Sequence, residues 1–302
     1  MKYLLLVLLC LPLGLFAQLS GLEVDEKRME NRLLQLAEFG KPKNGKTNRV
    51  AYSPGDELAR KWFVSLMYEA GLKVHIDYAG NIIGRREGQD PNLKPIVFGS
   101  HIDMVPFGGN YDGCVGSIGG LEVMQVLHDN KLETLHPLEL IVFSNEEGGV
   151  IGSRALAGNL QNATLDMKSS SGYTIREGIG RIDGNPDRIA EVKREQNSIH
   201  SFLELHIEQG SVLHDEGIQI GLVEGIVGIE WWEIKVEGFA NHAGTTPMNK
   251  RQDALLAASE LVLSINEIVR SVPGKQVGTV GKMSVEPGAP NVIPGKVTMS
   301  LE

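Results

Sequence analysis

Three short apolar runs, each ending in polar residues, constrain this chain more than any other feature. They are PIVFGSH at 95–101, LELIVFS at 138–144 and the run from Phe202 to Ile207. Runs of this length read as buried strands. Helix-like stretches separate and precede them. Residues 25–39 carry Met29, Leu33, Leu34, Leu36 and Phe39 at helical spacing, Asp56–Ala70 ends at Gly71, and Gly113–Asn130 has a glycine-rich start. Leu72–Asp77 and Asn81–Arg85 add two more strands. Strands alternating with helices predict an α/β fold with a central sheet flanked by helices. Ligands of such folds bind beyond the carboxyl ends of the strands, where all three polar clusters lie.

The pattern changes near Val223. Gly228–Gly238 alternates like an antiparallel strand with one wet face, Asp253–Val269 is an amphipathic helix, and Gln276–Val285 and Lys296–Leu301 read as strands. A small α+β domain over 223–302 is expected beside a larger one over 18–222. Residues 161–200 are polar, with a helix around Ile175–Ile182 and a loop around Gly184–Pro186. Residues 1–17 have the form of a secretory signal peptide: Lys2, an apolar run from Leu4 to Leu15, and Ala17 before the cleavage point. Cleavage leaves Cys114 as the single cysteine, so no internal disulfide is expected in a periplasmic or secreted product. No second span is expected to hold it in a membrane. With 29 basic and 38 acidic residues the net charge is −9, which argues against a nucleic-acid partner.

The polar clusters carry the chemistry. His101 ends a buried strand, where a neutral imidazole can bind metal, and Asp103 can accept its other ring N–H. Asp112 opens the next helix. Glu146 and Glu147 follow the second strand; adjacent side chains diverge, so one can bind metal while the other faces substrate as a base. His206 follows the third strand. Singly, each has a bland reading as a cap, a solvated loop pair or a core histidine. Together, His101, Asp112, Glu147 and His206 make a mixed donor set suited to zinc, with manganese as the harder alternative, and an aspartate between two ions can bridge them.

The motifs GSHIDMVPFGGNYDG, FSNEEGG, HIEQGSVL, GFANHAGTTPM and PNVIPG occur in this order between Gly99 and Gly295. They resemble the carbamoylase-type amidohydrolases: N-carbamoyl-L-amino-acid hydrolases, allantoate amidohydrolases and β-ureidopropionases. These belong to the superfamily of aminoacylases and metal-dependent carboxypeptidases. The resemblance implies a di-metal catalytic domain with an inserted lid or dimerisation domain. It further implies hydrolysis of linear non-peptide C–N bonds in small carbamoyl or ureido acids. Two divalent ions are implied, with His101, Asp112 and His206 on one and Asp112 and Glu147 on the other. Glu146 is implied as general base. His242, reaching an active site from the partner subunit of a homodimer, is implied to stabilise the oxyanion and contact substrate, with Gln209 and Asn291 on the substrate's polar end. Arg251 and Asp253 read as supports for the following helix. The alternatives are a peptidase or aminoacylase of the same superfamily, or a dimerising remnant without activity. The last is on the table because the family's next ligand histidine and a carboxylate-binding arginine are expected beyond Glu302, which implies weak or no turnover by this polypeptide.

Overall fold

A computed structural model describes residues 22–41 and 48–302. The expected signal peptide lies outside the described residues, as do residues 42–47. The chain divides into two compact units, between Ile218 and Gln219.

The first unit opens with α1 (Glu26–Glu38), capped by the Asp25 side chain, and α2 (Pro54–Glu69). The second helix starts ahead of the expected Asp56. Ser53 accepts from the Asp56 N–H, and Pro54 occupies the first turn, where its missing N–H leaves no bond unmade. Then come β1 (Lys73–Ile76), β2 (Ile82–Arg86), β3 (Ile96–His101), α3 (Cys114–Asp129) and β4 (Leu138–Phe143). The short helices α4 (Ile151–Leu156) and α5 (Ile175–Arg181) lead to β5 (Ser201–Leu203) and α6 (Val212–Glu216).

The sheet runs β1-β2-β4-β3-β5. β3 is parallel to both β4 and β5, whereas β2 pairs antiparallel with β4 and with β1. The three parallel strands therefore end on one edge. One sheet face packs Ile82, Leu140 and Val142 with Phe63 and Met67 of α2 and Ile118, Leu121 and Met124 of α3. The other buries Ile83, Val97 and Ile141, with Leu156 against them. Helix α1 meets α3 through charge. The fully buried Glu122 accepts from Arg28 Nε at 2.8 Å and Arg32 Nη1 at 3.3 Å.

The second unit pairs β6 (Trp232–Glu237), β10 (Lys296–Leu301) and β8 (Lys282–Glu286) as an antiparallel sheet, with β10 central. Helix α7 (Ala254–Ser271) lays Ala254 and Ala258 on Val236, Val285 and Val297. A two-residue ribbon joins β7 (Asn241–His242) to β9 (Val292–Ile293).

Three strands are shorter than their sequence pattern; the one expected over Gly228–Gly238 spans only Trp232–Glu237. The third apolar run leaves the sheet after Leu203: it pairs only with Ile96–Phe98 of β3, and the Glu204 carboxylate then takes the Ser100 hydroxyl at 2.6 Å. The strand expected from Gln276 begins at Lys282, and the Gln276 side-chain amide instead donates to the Val269 carbonyl in the last turns of α7. Helix α4 is not anticipated by the sequence; six residues show too little of a 3.6-residue period.

Candidate metal centre

The edge where β3, β4 and β5 end collects the polar clusters. His101 closes β3 and is buried. Its Nδ1 lies 3.0 Å from the Asp103 carbonyl oxygen. A carbonyl only accepts, so Nδ1 carries the proton and Nε2 presents a lone pair. His206 repeats the arrangement, with Nδ1 2.9 Å from the Ile207 carbonyl and Nε2 3.1 Å from Asp112 Oδ1. Ligand atoms of His101, Asp112 and His206 all lie within 4.8 Å of one another, the one such group among the described residues. Two imidazoles, each held by a main-chain acceptor with the opposite nitrogen turned inward beside a carboxylate, form a donor set that fits a divalent cation.

Two glycines let these groups meet. Gly113 has φ +64°, and a Cβ there would stand 2.3 Å from the His101 ring. The imidazole thus rests on the first turn of α3. At Gly116 a Cβ would sit 2.0 Å from the Leu205 carbonyl oxygen. The segment carrying His206 crosses α3 at that point.

Asp103 acts differently from the sequence expectation. The ring N–H of His101 goes to its main-chain carbonyl, and its carboxylate stands 3.7 Å from Nδ1. The carboxylate instead accepts the Glu146 and Glu147 N–H groups, both at 3.2 Å. The reason is geometric: the chain turns straight after β3, so the nearer acceptor for the ring is the backbone. Asp103 consequently ties the His101 turn to the turn after β4. There Asn145 is held at φ +44°, and Glu146 Oε2 comes 3.6 Å from His101 Nε2. Glu147 is not in the His101–Asp112–His206 group; with Asp103, Asn145 and Ser170 it lines a 20 Å³ cavity.

Charge at this edge is unbalanced toward acid. Burial pushes the Glu146, Glu147 and Asp103 carboxyls above their ordinary values, with His101 opposing. Burial alone would lower the His101 imidazole, but the Asp103 and Glu146 carboxylates outweigh it and leave it raised. The surroundings favour added positive charge, the condition a bound cation meets.

Gln209, at φ +58°, donates from Nε2 to both Asp112 oxygens at 2.9 and 2.8 Å. Its neighbour Glu208 faces away and accepts the Leu213 N–H at 2.8 Å at the start of α6. In the second unit, His242 and Asn291 come together on the β7–β9 ribbon, where the Ala243 N–H donates to the Asn291 carbonyl at 3.0 Å. His242 Nδ1 accepts the Gly244 N–H at 3.0 Å, which leaves Nε2–H as a donor on an exposed ring. Arg251 ties the turn by donating to the Ala243 and Thr246 carbonyls, at 2.7 and 3.1 Å. Asp253 caps α7.

Arg49 belongs to none of the sequence motifs. It is fully buried and reaches the Ile102 carbonyl behind His101. The only signal was a lone arginine preceding the apolar Val50 and Ala51.

Paired imidazoles set for a cation, with an acid held half-dry beside them on the edge of a mixed α/β sheet, belong to the metal-dependent hydrolases. The chain is a member of peptidase family M20/M25/M40, whose model it matches over residues 97–291. It is 39% identical over 284 residues to the N-carbamoyl-L-amino acid amidohydrolase of Geobacillus stearothermophilus, covering 92% of this chain and 69% of that one. The ureidoglycolate hydrolase of Arabidopsis thaliana is 37% identical over 295 residues, covering 94% of this chain and 62% of the relative. Among solved structures, a hydantoinase/carbamoylase family amidase from Burkholderia vietnamiensis is similar with a TM-score of 0.78. It is 34% identical over 93% of this chain and 69% of that one.

Proposed function

We propose that the chain hydrolyses a linear, non-peptide C–N bond in a small acid bearing a carbamoyl or ureido group. The observation that carries this is the convergence of His101, Asp112 and His206 beside Glu146, in a chain whose relatives include an N-carbamoyl-L-amino acid amidohydrolase and a ureidoglycolate hydrolase. His101, Asp112 and His206 would hold one divalent ion, zinc or manganese, and Glu147 with Asp112 would serve a second. Ions bound there supply an activated water and polarise the scissile carbonyl.

The remaining chemistry belongs to the side chains. Glu146 takes the proton of the attacking water on a carboxylate oxygen and returns it to the leaving nitrogen. Its half-buried setting raises its pKa toward that task. His242 donates Nε2–H to the oxygen that gains charge at the tetrahedral carbon. Gln209 and Asn291 hydrogen-bond the substrate's polar end. His242 serves the active site of a partner subunit, so the working form is a homodimer through the second unit. We infer export of the chain by its N-terminal segment.

Purified chain loaded with zinc or manganese is assayed on N-carbamoyl amino acids, ureidoglycolate, allantoate, N-acyl amino acids and dipeptides. Any turnover is expected to favour the carbamoyl or ureido compounds and to be abolished by Glu146→Gln. Preference for dipeptides or N-acyl amino acids overturns the substrate assignment.

A further inference from the structure

Arg49 is a fully buried cation that the proposed reaction does not use. Among the described residues no carboxylate forms an ion pair with it. Its donors go to three uncharged acceptors: Nε to the Ile102 carbonyl at 2.6 Å, Nη1 to the Leu36 carbonyl at 2.7 Å, and Nη2 to Cys114 Sγ at 3.3 Å. A buried charge without an ion pair is costly, and a hydrogen bond from each of the three guanidinium nitrogens is what makes it tolerable.

The places those bonds reach are informative. Ile102 follows His101, and Cys114 lies two residues after Asp112. The main-chain oxygen of Arg49 also accepts the Met104 N–H at 3.2 Å. One residue therefore straps the 102–104 turn at both ends, by its side chain at Ile102 and its backbone at Met104. Asp103 lies between these two points. Its carbonyl orients His101 and its carboxylate holds the Glu146 and Glu147 amides. The third contact pins the first residue of α3, immediately behind Asp112 and Gly113. Leu36 anchors the assembly to α1.

We propose that Arg49 is a positioning residue of the metal centre: its guanidinium locks the Ile102–Met104 turn to the start of α3 and so sets the spacing of His101, Asp112 and the Glu146–Glu147 turn. It touches neither substrate nor metal. The inference rests on the metal-centre reading above for its consequence, but the strap itself is a property of the metal-free chain.

Lysine cannot replace it, because an ammonium on a flexible stem does not span three divergent acceptors. The test uses the whole chain as wild type, Arg49→Lys, Arg49→Met, Cys114→Ala and His206→Ala. Glu122→Gln serves as a control that weakens a buried ion pair between α1 and α3. Metal-free chains are followed by amide hydrogen exchange, and Co²⁺ titration gives affinity and the visible absorption of the bound ion.

Both Arg49 variants are expected to exchange faster at 102–104 and 113–116. They should bind Co²⁺ about tenfold or more weakly, with an altered spectrum, as loss of outer-shell support typically does. Cys114→Ala moves both readouts the same way by a smaller factor, and it decides the matter if the Arg49 variants do not fold. Glu122→Gln lowers the melting temperature yet leaves Co²⁺ affinity within about twofold, since it lies outside the ligand support. Unchanged exchange at 102–104 in the folded variants overturns the proposal. So does a loss of affinity in Glu122→Gln that matches the Arg49 variants. If wild type binds Co²⁺ no better than His206→Ala, the metal-centre reading fails, and the exchange data still judge the strap.

Discussion

The two histidines of the proposed metal centre are held by the same kind of hydrogen bond in opposite surroundings. His101 ends a six-residue strand, its side chain is 3% exposed, and its turn is strapped from beneath by Arg49. His206 follows a three-residue edge strand, its side chain is 29% exposed, and it leans on Asp112 and one adjacent carbonyl. The first arm is pre-built by folding. The second closes the ligand set from the solvent side, with few apolar contacts behind it. Local opening concentrates where buried contacts are few, so a cation should order the second arm and leave the first almost unchanged.

That contrast is breakable at four points, in descending size. Gly113→Ala, on the pre-built arm, combines a left-handed backbone with a Cβ pressed into the His101 ring. A loss of about 3 kcal/mol or more of folding stability is expected by urea titration. Gly116→Ala pushes the crossing His206 segment away at Leu205. It should cost about 1–3 kcal/mol, and metal affinity should fall with it in isothermal titration.

Asp56→Asn probes, through pH, a buried acid on α2 that feels the Asp103 charge of the pre-built arm. Burial pushes the Asp56 carboxyl up to about 7, with Arg60 pulling it down and Asp103 pushing it further up. The folded form thus prefers the protonated acid. Asp56's favourable contribution is full below the ordinary carboxylate range and is lost as pH rises toward about 7. Asn keeps an acceptor for the Tyr52 N–H without the charge. Thermal melts of the variant from pH 4 to pH 8 should show a flatter decline than wild type; an unchanged slope would mean that Asp56 does not titrate in this window.

Gln209→Ala, on the exposed arm, should change stability by less than about 0.5 kcal/mol. The same substitution should faster expose 204–210 to hydrogen exchange. A destabilisation as large as that of Gly113→Ala would erase the distinction between the arms.

The same contrast marks where the sequence was readable. β3 and β4 are apolar runs that pair along their full length with each other, so their pattern and the polar residues that end them survived into the structure. The third run has the same pattern but sits at the sheet edge and pairs with only the first half of β3, which sequence periodicity does not register. The residues of the metal set sit in compact motifs. Their support does not: Arg49 lies 53 residues before Ile102 in sequence, and its role depends on a long-range contact. Asp103 was identified as a partner of His101, but which of its oxygens does so was a matter of backbone direction after β3. Helix α4 is too short to declare itself.

The most direct test is anomalous diffraction from crystals of the chain grown with zinc. The account predicts a peak bonded to His101 Nε2, His206 Nε2 and an Asp112 carboxylate oxygen, at about 2.0–2.2 Å from each. A zinc-loaded crystal with no peak among those three side chains, or with the ion bound elsewhere, contradicts it.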